Sequence, residues 1–387
     1  ERLVMSLHTA VGPTPRLWRT ESEREGREDD NSIRKHLMLD GPLLDGPRFT
    51  DLYNTPDLAP KTLSLAFCRP SEASGDAPAT SSNDALQTAL NGPAGDALNR
   101  ALVRICEEAE AAVLDGAGLL ILSDQNAMTP THALIPPLLA TSAVHSHLLD
   151  KGLRHACGLV VDSGEVREVM HVTVLLGFGA SAVHPWLALE SVGALAASTS
   201  IDLGDALLAR RNYLSALETG IRKVLSKMGI ATLQGYRGAR IYEAIGLASA
   251  FTQRWFPGTA SQIGGIGAAG VATEALARHE AAWAPQRLGG VPGGLDRGGR
   301  YRWRRDGEAH AYGPTVIGLL QHAVRSGERA DFERYERRAN RNASAIVSLR
   351  GLLDLQPIGP AVPLSEVEPA SEIVRRFRTG AMSFGSL

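Results

Sequence analysis

From Leu98 onward, apolar positions alternate between helical spacing and short unbroken runs. Leu102, Ile105, Cys106, Ala109 and Val113 recur at three- and four-residue intervals, with Glu107, Glu108 and Glu110 on the other side. That spacing predicts an amphipathic helix over 99–114. Gly116 and Gly118 stop it, and the apolar run 119–122 reads as a buried strand ending at Ser123 and Asp124. The unit recurs. A helix is expected over 131–150, strands over 158–161 and 172–176, a helix from about Pro185, a long helix over 204–228 and a fourth strand over 230–233. Strands alternating with helices predict an α/β fold with a parallel sheet, and units of one hand favour closure or partial closure into a barrel.

The flanks read differently. Residues 1–97 form an irregular N-terminal arm with insertions, because the charged stretch 19–35 and the Ser/Ala/Gly/Pro-rich stretch 70–83 bury little. The α/β domain is expected over 98–356, and its last third is helical: 271–283, 315–326 and 331–340, with a Gly-rich loop over 288–299. Four prolines mark a linker over 357–376, and a new element starts at Phe377.

Charge narrows the function classes. Lys plus Arg total 40 against 42 Asp plus Glu, so no global field favours nucleic acid or an anionic membrane. Cys68, Cys106 and Cys157 match neither a metal-ligand spacing nor a disulfide framework, and no unbroken apolar run is long enough to span a bilayer. A reducing cytoplasm is the simplest location.

Candidate chemistry is sparse. Gly177 to Ala182 and Gly265 to Gly270 match dinucleotide-fingerprint spacing, yet neither has an acidic residue at the proper distance, so tight turns between strand and helix are the favoured reading. His145 and His147, two apart on a helix, point in different directions and cannot chelate one ion, so they are expected to face solvent or cap. Asp124, Asp162 and Glu190 lie at or after strand ends, where barrel enzymes carry carboxylates, but helix caps and structural ion pairs are the favoured roles. Lys227 reads as a helix C-terminal lysine. The segment 301–305, with Tyr301 and Trp303 among arginines, is too short for a nucleic-acid platform and is expected as a surface strand or interdomain contact.

Several ordered blocks carry a resemblance: 1–7, 58–63, 105–109, 120–124, 143–148, 177–183, 223–247, 261–267, 274–279 and 362–368, followed by Arg375 to Leu387. In these the chain resembles the central region of the glutamate synthase large subunit, running into the first residues of its FMN-binding barrel. Departures are mild, with Gly235 and Arg240 standing where the family commonly has Ser and Gln.

The resemblance implies an α/β fold akin to a rudimentary or incomplete TIM-like barrel, with 377–387 as the start of the FMN-binding domain. It implies a scaffold between a glutamine amidotransferase domain and a domain holding FMN and an iron-sulfur cluster. In such an enzyme glutamine-derived ammonia is transferred reductively to 2-oxoglutarate, with a small subunit or ferredoxin as electron donor. Ala381, Met382 and Ser383 are the implied FMN contacts in the intact enzyme. The chain itself is expected to hold no cofactor, no metal and no complete active site. A stand-alone dinucleotide-binding oxidoreductase using 177–182 and a non-catalytic interaction scaffold are the alternatives.

Overall fold

The structure, a computed structural model, describes residues 4–14, 36–69, 82–198, 204–283, 298–342, 353 and 356–377. Two units, Glu1–Trp283 and Ala284–Leu387, are each compact.

The first unit opens with β1 (Thr9–Val11), antiparallel to β2 (Leu37–Leu39), and α1 (Gly46–Tyr53), whose N-cap Asp45 accepts from the Arg48 amide. β3 (Pro60–Ser64) and β4 (Ala66–Cys68) precede α2 (Ser82–Leu114), which breaks at Gly92, φ 43°, ahead of Pro93. Next come β5 (Leu119–Ser123), β6 (His132–Leu134), α3 (Pro137–Asp150), β7 (Gly158–Asp162), α4 (Val169–Gly177) and β8 (Ala182–His184). The helices α5 (Trp186–Ala197) and α6 (Ala206–Met228) follow, then the short turn α7 (Leu233–Tyr236). The unit ends with β9 (Glu243–Leu247), α8 (Ser249–Trp255), β10 (Ala260–Ile266) and α9 (Ala268–Trp283).

Four strands, β3-β5-β7-β8, form a parallel sheet in chain order. Leu120, Leu122, Leu159, Val161 and Val183 share one face and pack against α2, α3 and α4. Leu119, Ile121, Val160 and Ala182 share the other, which is filled by Val11, Leu44, Leu52 and Leu58. The central strands β5 and β7 bury both faces, so they read as unbroken apolar runs, and each fully buried Leu or Val contributes roughly 1.5–3 kcal/mol of transfer free energy. Sequential order with the crossover helices on one face is the arrangement of part of a barrel. Among the described residues no ring closes. The N-terminal arm occupies the inner face instead, pressed so closely that a methyl group on Gly158 would lie 2.5 Å from the Gly12 nitrogen. The arm also reaches the far end of the unit: the Ser6 amide donates to Ala231, the Leu233 amide to Ser6, and Arg237 to the Ala10 carbonyl.

Several expectations are corrected. Residues 172–176 are not a strand but lie in α4, where Val172, Leu175 and Leu176 pack against Leu217, Ile221 and Leu225. A short apolar run fits a buried helix as well as a strand, and tertiary packing decides. Residues 230–233 form no strand either: Gly229, φ 72°, ends α6, and the Thr232 side chain caps α7, leaving only a single parallel bridge to Ser6. Within the parallel sheet the strands not expected are β3, from the arm expected to be irregular, and β8, and the two-stranded pairings of β1 with β2, β4 with β6 and β9 with β10 were not expected either. The span 131–150 divides into β6 and α3, because Pro136 and Pro137 hold the chain extended before Pro137 starts the helix.

The second unit contains α10 (Pro314–Ser326), ended by Gly327 at φ 68°, and α11 (Arg329–Asn342). The Pro-rich segment ends in a helix, α12 (Ala370–Arg376), started after Pro369, so it is not extended throughout. Residues 301–305 form no strand. No described helix is long and apolar enough to cross a membrane.

Candidate functional site

The C-terminal edge of a parallel sheet is where α/β folds gather chemistry. Here the register aligns Ser64, Ser123, Asp162 and His184 in one layer across all four strands. Asp162, 2% exposed, accepts from the Ser123 hydroxyl at 2.7 Å and pairs with His184 Nδ1 at 2.8 Å. The His184 ring stacks on Phe49 with centroids 4.4 Å apart. One residue beyond β5, buried Asp124 accepts from the Ser163 hydroxyl at 2.5 Å, the Gly164 amide at 3.0 Å and Trp186 Nε1 at 2.8 Å.

This constellation contains serine, histidine and aspartate without forming a nucleophilic triad. Ser123 donates to the carboxylate rather than to the imidazole, so the serine-to-histidine contact of a triad is missing. Asp162 is held by two internal partners and Asp124 by three, and the layer fastens strand ends to the loops that follow. That agrees with the structural role expected for Asp124 and Asp162. Glu190 lies on α5 and pairs with Arg210 on α6 at 3.2 Å, away from this layer. Glu165, beside Asp124, has its carboxyl pushed up by burial against the opposing pull of Arg278.

A second cluster is cationic. His145 is buried, not facing solvent as expected, and its Nδ1 accepts from Arg154 Nε at 2.9 Å. Arg154 also donates to the Cys157 and Gly179 carbonyls, while Arg240 donates to the Pro257 carbonyl and the Ser146 hydroxyl. Burial, then Arg154, Arg240 and Arg237, pull the His145 imidazole down to about 3. Burial likewise lowers Arg237 to about 10. Among the described residues no carboxylate lies within ion-pair distance of Arg154, Arg237 or Arg240; carbonyl oxygens, serine hydroxyls and the His145 imidazole are their partners. His147 points elsewhere, to Glu110 on α2 at 2.7 Å, so the pair cannot share an ion. No group of three or more metal-ligating side chains exists among the described residues.

Neither glycine motif makes a phosphate site. Around Gly177 to Ala182 the helix precedes and the strand follows, the reverse of a fingerprint, and a methyl on Gly179 would sit 2.2 Å from His145 Nδ1. Gly265 to Gly270 does link β10 to α9. Its helix end is covered, however: a methyl on Gly95 would lie 2.7 Å from the Ala269 amide nitrogen. Lys227 lies in the last turn of α6, as expected. Ala381, Met382 and Ser383 lie outside the described residues.

The described sheet does not fit a flavin. Its strand ends present two carboxylates where phosphate needs donors, and Leu44, Leu52 and Leu58 occupy the inner face. Sequence reasoning missed His184, Ser163, Trp186 and the arginines. The order Ser-Asp after one apolar run and Asp-Ser after the next was a usable signal for the polar layer.

Comparison with known proteins is consistent along the chain. Residues 1–248 match the family model described as glutamate synthase central domain, and 310–387 match the conserved region in glutamate synthase. The NADPH glutamate synthase large chain of Bacillus subtilis (strain 168) is 41% identical over 75% of this chain and 19% of its own length. The NADH glutamate synthase of Schizosaccharomyces pombe is 35% identical over 100% of this chain and 17% of its own, and the chloroplastic ferredoxin-dependent enzyme of Oryza sativa subsp. japonica 32% over 100% and 22%. The chain thus spans about a fifth of the length of these relatives. Among solved structures, the recombinant flavin-binding domain of baker's yeast flavocytochrome b2 is 17% identical over 34% of this chain and 31% of that one, at a TM-score of 0.27, too slight to define a shared fold. On the two family matches, taken in order along its length, the chain belongs to the glutamate synthase family.

Proposed function

We propose that this chain is the scaffold region of a glutamate synthase large subunit, joining a glutamine amidotransferase domain to an FMN and iron-sulfur domain. In that setting ammonia from glutamine reaches 2-oxoglutarate, and flavin hydride reduces the resulting imine to glutamate. Residues 357–376 serve as the linker, and Ala381, Met382 and Ser383 contact the flavin when the following domain is present, small residues there letting the ring approach the backbone. The electron donor is a small subunit or ferredoxin.

The observation that carries this reading is the match of the central-domain family model to 1–248, followed by the second family model at 310–387. The polar layer supports it: Asp124 and Asp162 are each held by two or three internal partners, as suits a load-holding element rather than an acid or base.

The purified chain, given glutamine, 2-oxoglutarate and reductant, is expected to release no ammonia, form no glutamate and show no flavin absorption band, whereas the full-length enzyme does all three. Turnover by the chain alone, or a stoichiometric bound flavin, overturns the reading.

A further inference from the structure

β4 and β6 pair antiparallel with Cys68 directly opposite His132. The neighbouring pair, Phe67 and Ala133, is the buried one, so the pleat turns Cys68 and His132 away from that core. Cys68 Sγ lies 3.2 Å from His132 Nε2. On the far side of the ring, His132 Nδ1 is 3.1 Å from both the Thr129 and Thr131 hydroxyls. With the proton on Nδ1 both hydroxyl oxygens can accept it, and Nε2 then presents its lone pair to the thiol. That is the order of nucleophile, base and orienting group found at activated thiols.

The pair borders a cavity of about 550 Å³ whose opposite wall is α2. Ala97 and Ala101 leave room there, and Arg100 and Arg104 stand four residues apart on that wall. Arg104 is committed to Glu108 at 2.8 Å and to the Ala66 carbonyl at 2.9 Å. Arg100 is exposed, and no carboxylate of the described residues lies within ion-pair distance of it. The cavity thus offers an approachable sulfur, a base and an uncommitted cation. Cys106 and Cys157 offer no approachable sulfur. They are 5% and 2% exposed, and burial pushes the Cys106 thiol up to about 12 and that of Cys157 upward as well.

We propose that Cys68 is a modification site for small disulfides bearing carboxylates, activated by His132 and selected by Arg100. His132 Nε2 takes the thiol proton, and the Cys68 thiolate attacks one sulfur of the disulfide. A bond forms between Cys68 Sγ and that sulfur while the ligand's own S–S bond breaks. The departing thiolate receives the proton from the imidazolium, so one thiol and one disulfide give one mixed disulfide and one thiol. The guanidinium of Arg100 binds the carboxylate during the approach.

The test incubates the whole chain with oxidised glutathione, which is anionic, and in parallel with neutral 2-hydroxyethyl disulfide, followed by peptide mass mapping. One adduct is expected, at Cys68, forming at least about tenfold faster than at either buried cysteine. Arg100→Gln should slow the glutathione reaction about threefold or more and leave the neutral reagent's rate unchanged. His132→Gln should slow both reagents by about tenfold. Modification of Cys106 or Cys157 first, or wild-type rates in both variants, overturns the proposal. Should His132→Gln fail to fold by circular dichroism, the exposed Arg100→Gln variant decides through the ratio of the two reagents' rates, and an unchanged ratio overturns the proposal.

Discussion

Replacing Asp124 by alanine tests whether the strand-end layer holds the fold. The carboxylate accepts from Ser163, Gly164 and Trp186. Ser163 can rotate its hydroxyl toward another acceptor. The Gly164 amide and the Trp186 indole cannot, and a stranded buried donor costs roughly 1–3 kcal/mol, so the two together give about 2–6 kcal/mol. Removing a buried charge returns part of this, and a net loss near 3 kcal/mol is expected, a large share of the 5–15 kcal/mol typical of a domain. Urea unfolding followed by far-ultraviolet circular dichroism measures it without relying on the fluorescence of Trp186. Trp186→Phe, which removes one donor and leaves Asp124 its others, should cost about 1 kcal/mol. A change below 1 kcal/mol for Asp124→Ala, at an unchanged m-value, would refute the reasoning. If the full-length enzyme then lost activity without losing stability, the carboxylate would be chemical rather than structural.

Two further outcomes follow from the buried groups. His145 titrates at about 3 in the fold against an ordinary 6.5, so the unfolded chain binds a proton in that window that the folded chain does not. Stability therefore rises with pH across it and falls as pH drops from 6.5 toward 3, by at most about 1.4 kcal/mol per unit. His145→Gln keeps an acceptor for Arg154 and should flatten the slope of urea midpoints between neutral pH and about pH 5; an unchanged slope would show that His145 is not buried neutral. Leu175→Asp places an unpaired carboxylate among Val172, Ile221 and Leu225, at a cost of several kcal/mol, comparable with the stability of the domain. No cooperative thermal transition is expected, and a wild-type melting temperature would mean that α4 is not docked on α6.

What the sequence revealed depended on how much of each element's environment is local. β5 and β7 were legible because strands buried on both faces are apolar without interruption and are bounded by glycine and aspartate. α6 was legible as a long helix over 204–228, and the structure bounds it with the caps Asp205 and Gly229. Residues 172–176 were misread because five consecutive apolar or β-branched residues carry no period, and only the packing of α4 on α6 selects a helix. β3 was missed because it is an edge strand beginning with proline in which only Leu63 is buried, so it has neither alternation nor a run. β8 has three residues, too few for any pattern. The polar layer was half legible. Asp124 and Asp162 stood out at strand ends, whereas His184 and Trp186 enter through register and a crossover 22 to 62 residues away. The arginine cluster is beyond a sequence pattern, since most of its partners are carbonyl oxygens, which every residue has.

The arm that fills the inner face also sets the order in which the chain can mature. Ser6 and Ala10 bond to residues 231 to 237, a separation of 227 positions in the case of Arg237 and Ala10. During synthesis the arm emerges well before these partners. At roughly 5–20 residues per second, on the order of 10–50 s separates the emergence of Ser6 from that of Arg237. Through that interval the inner face of β5 and β7, with Leu119, Ile121 and Val160, lacks the clasp that keeps the arm on it. A nascent chain therefore carries this apolar face without its clasp until α7 appears, which exposes it to wrong contacts for the whole time that α6 is being made.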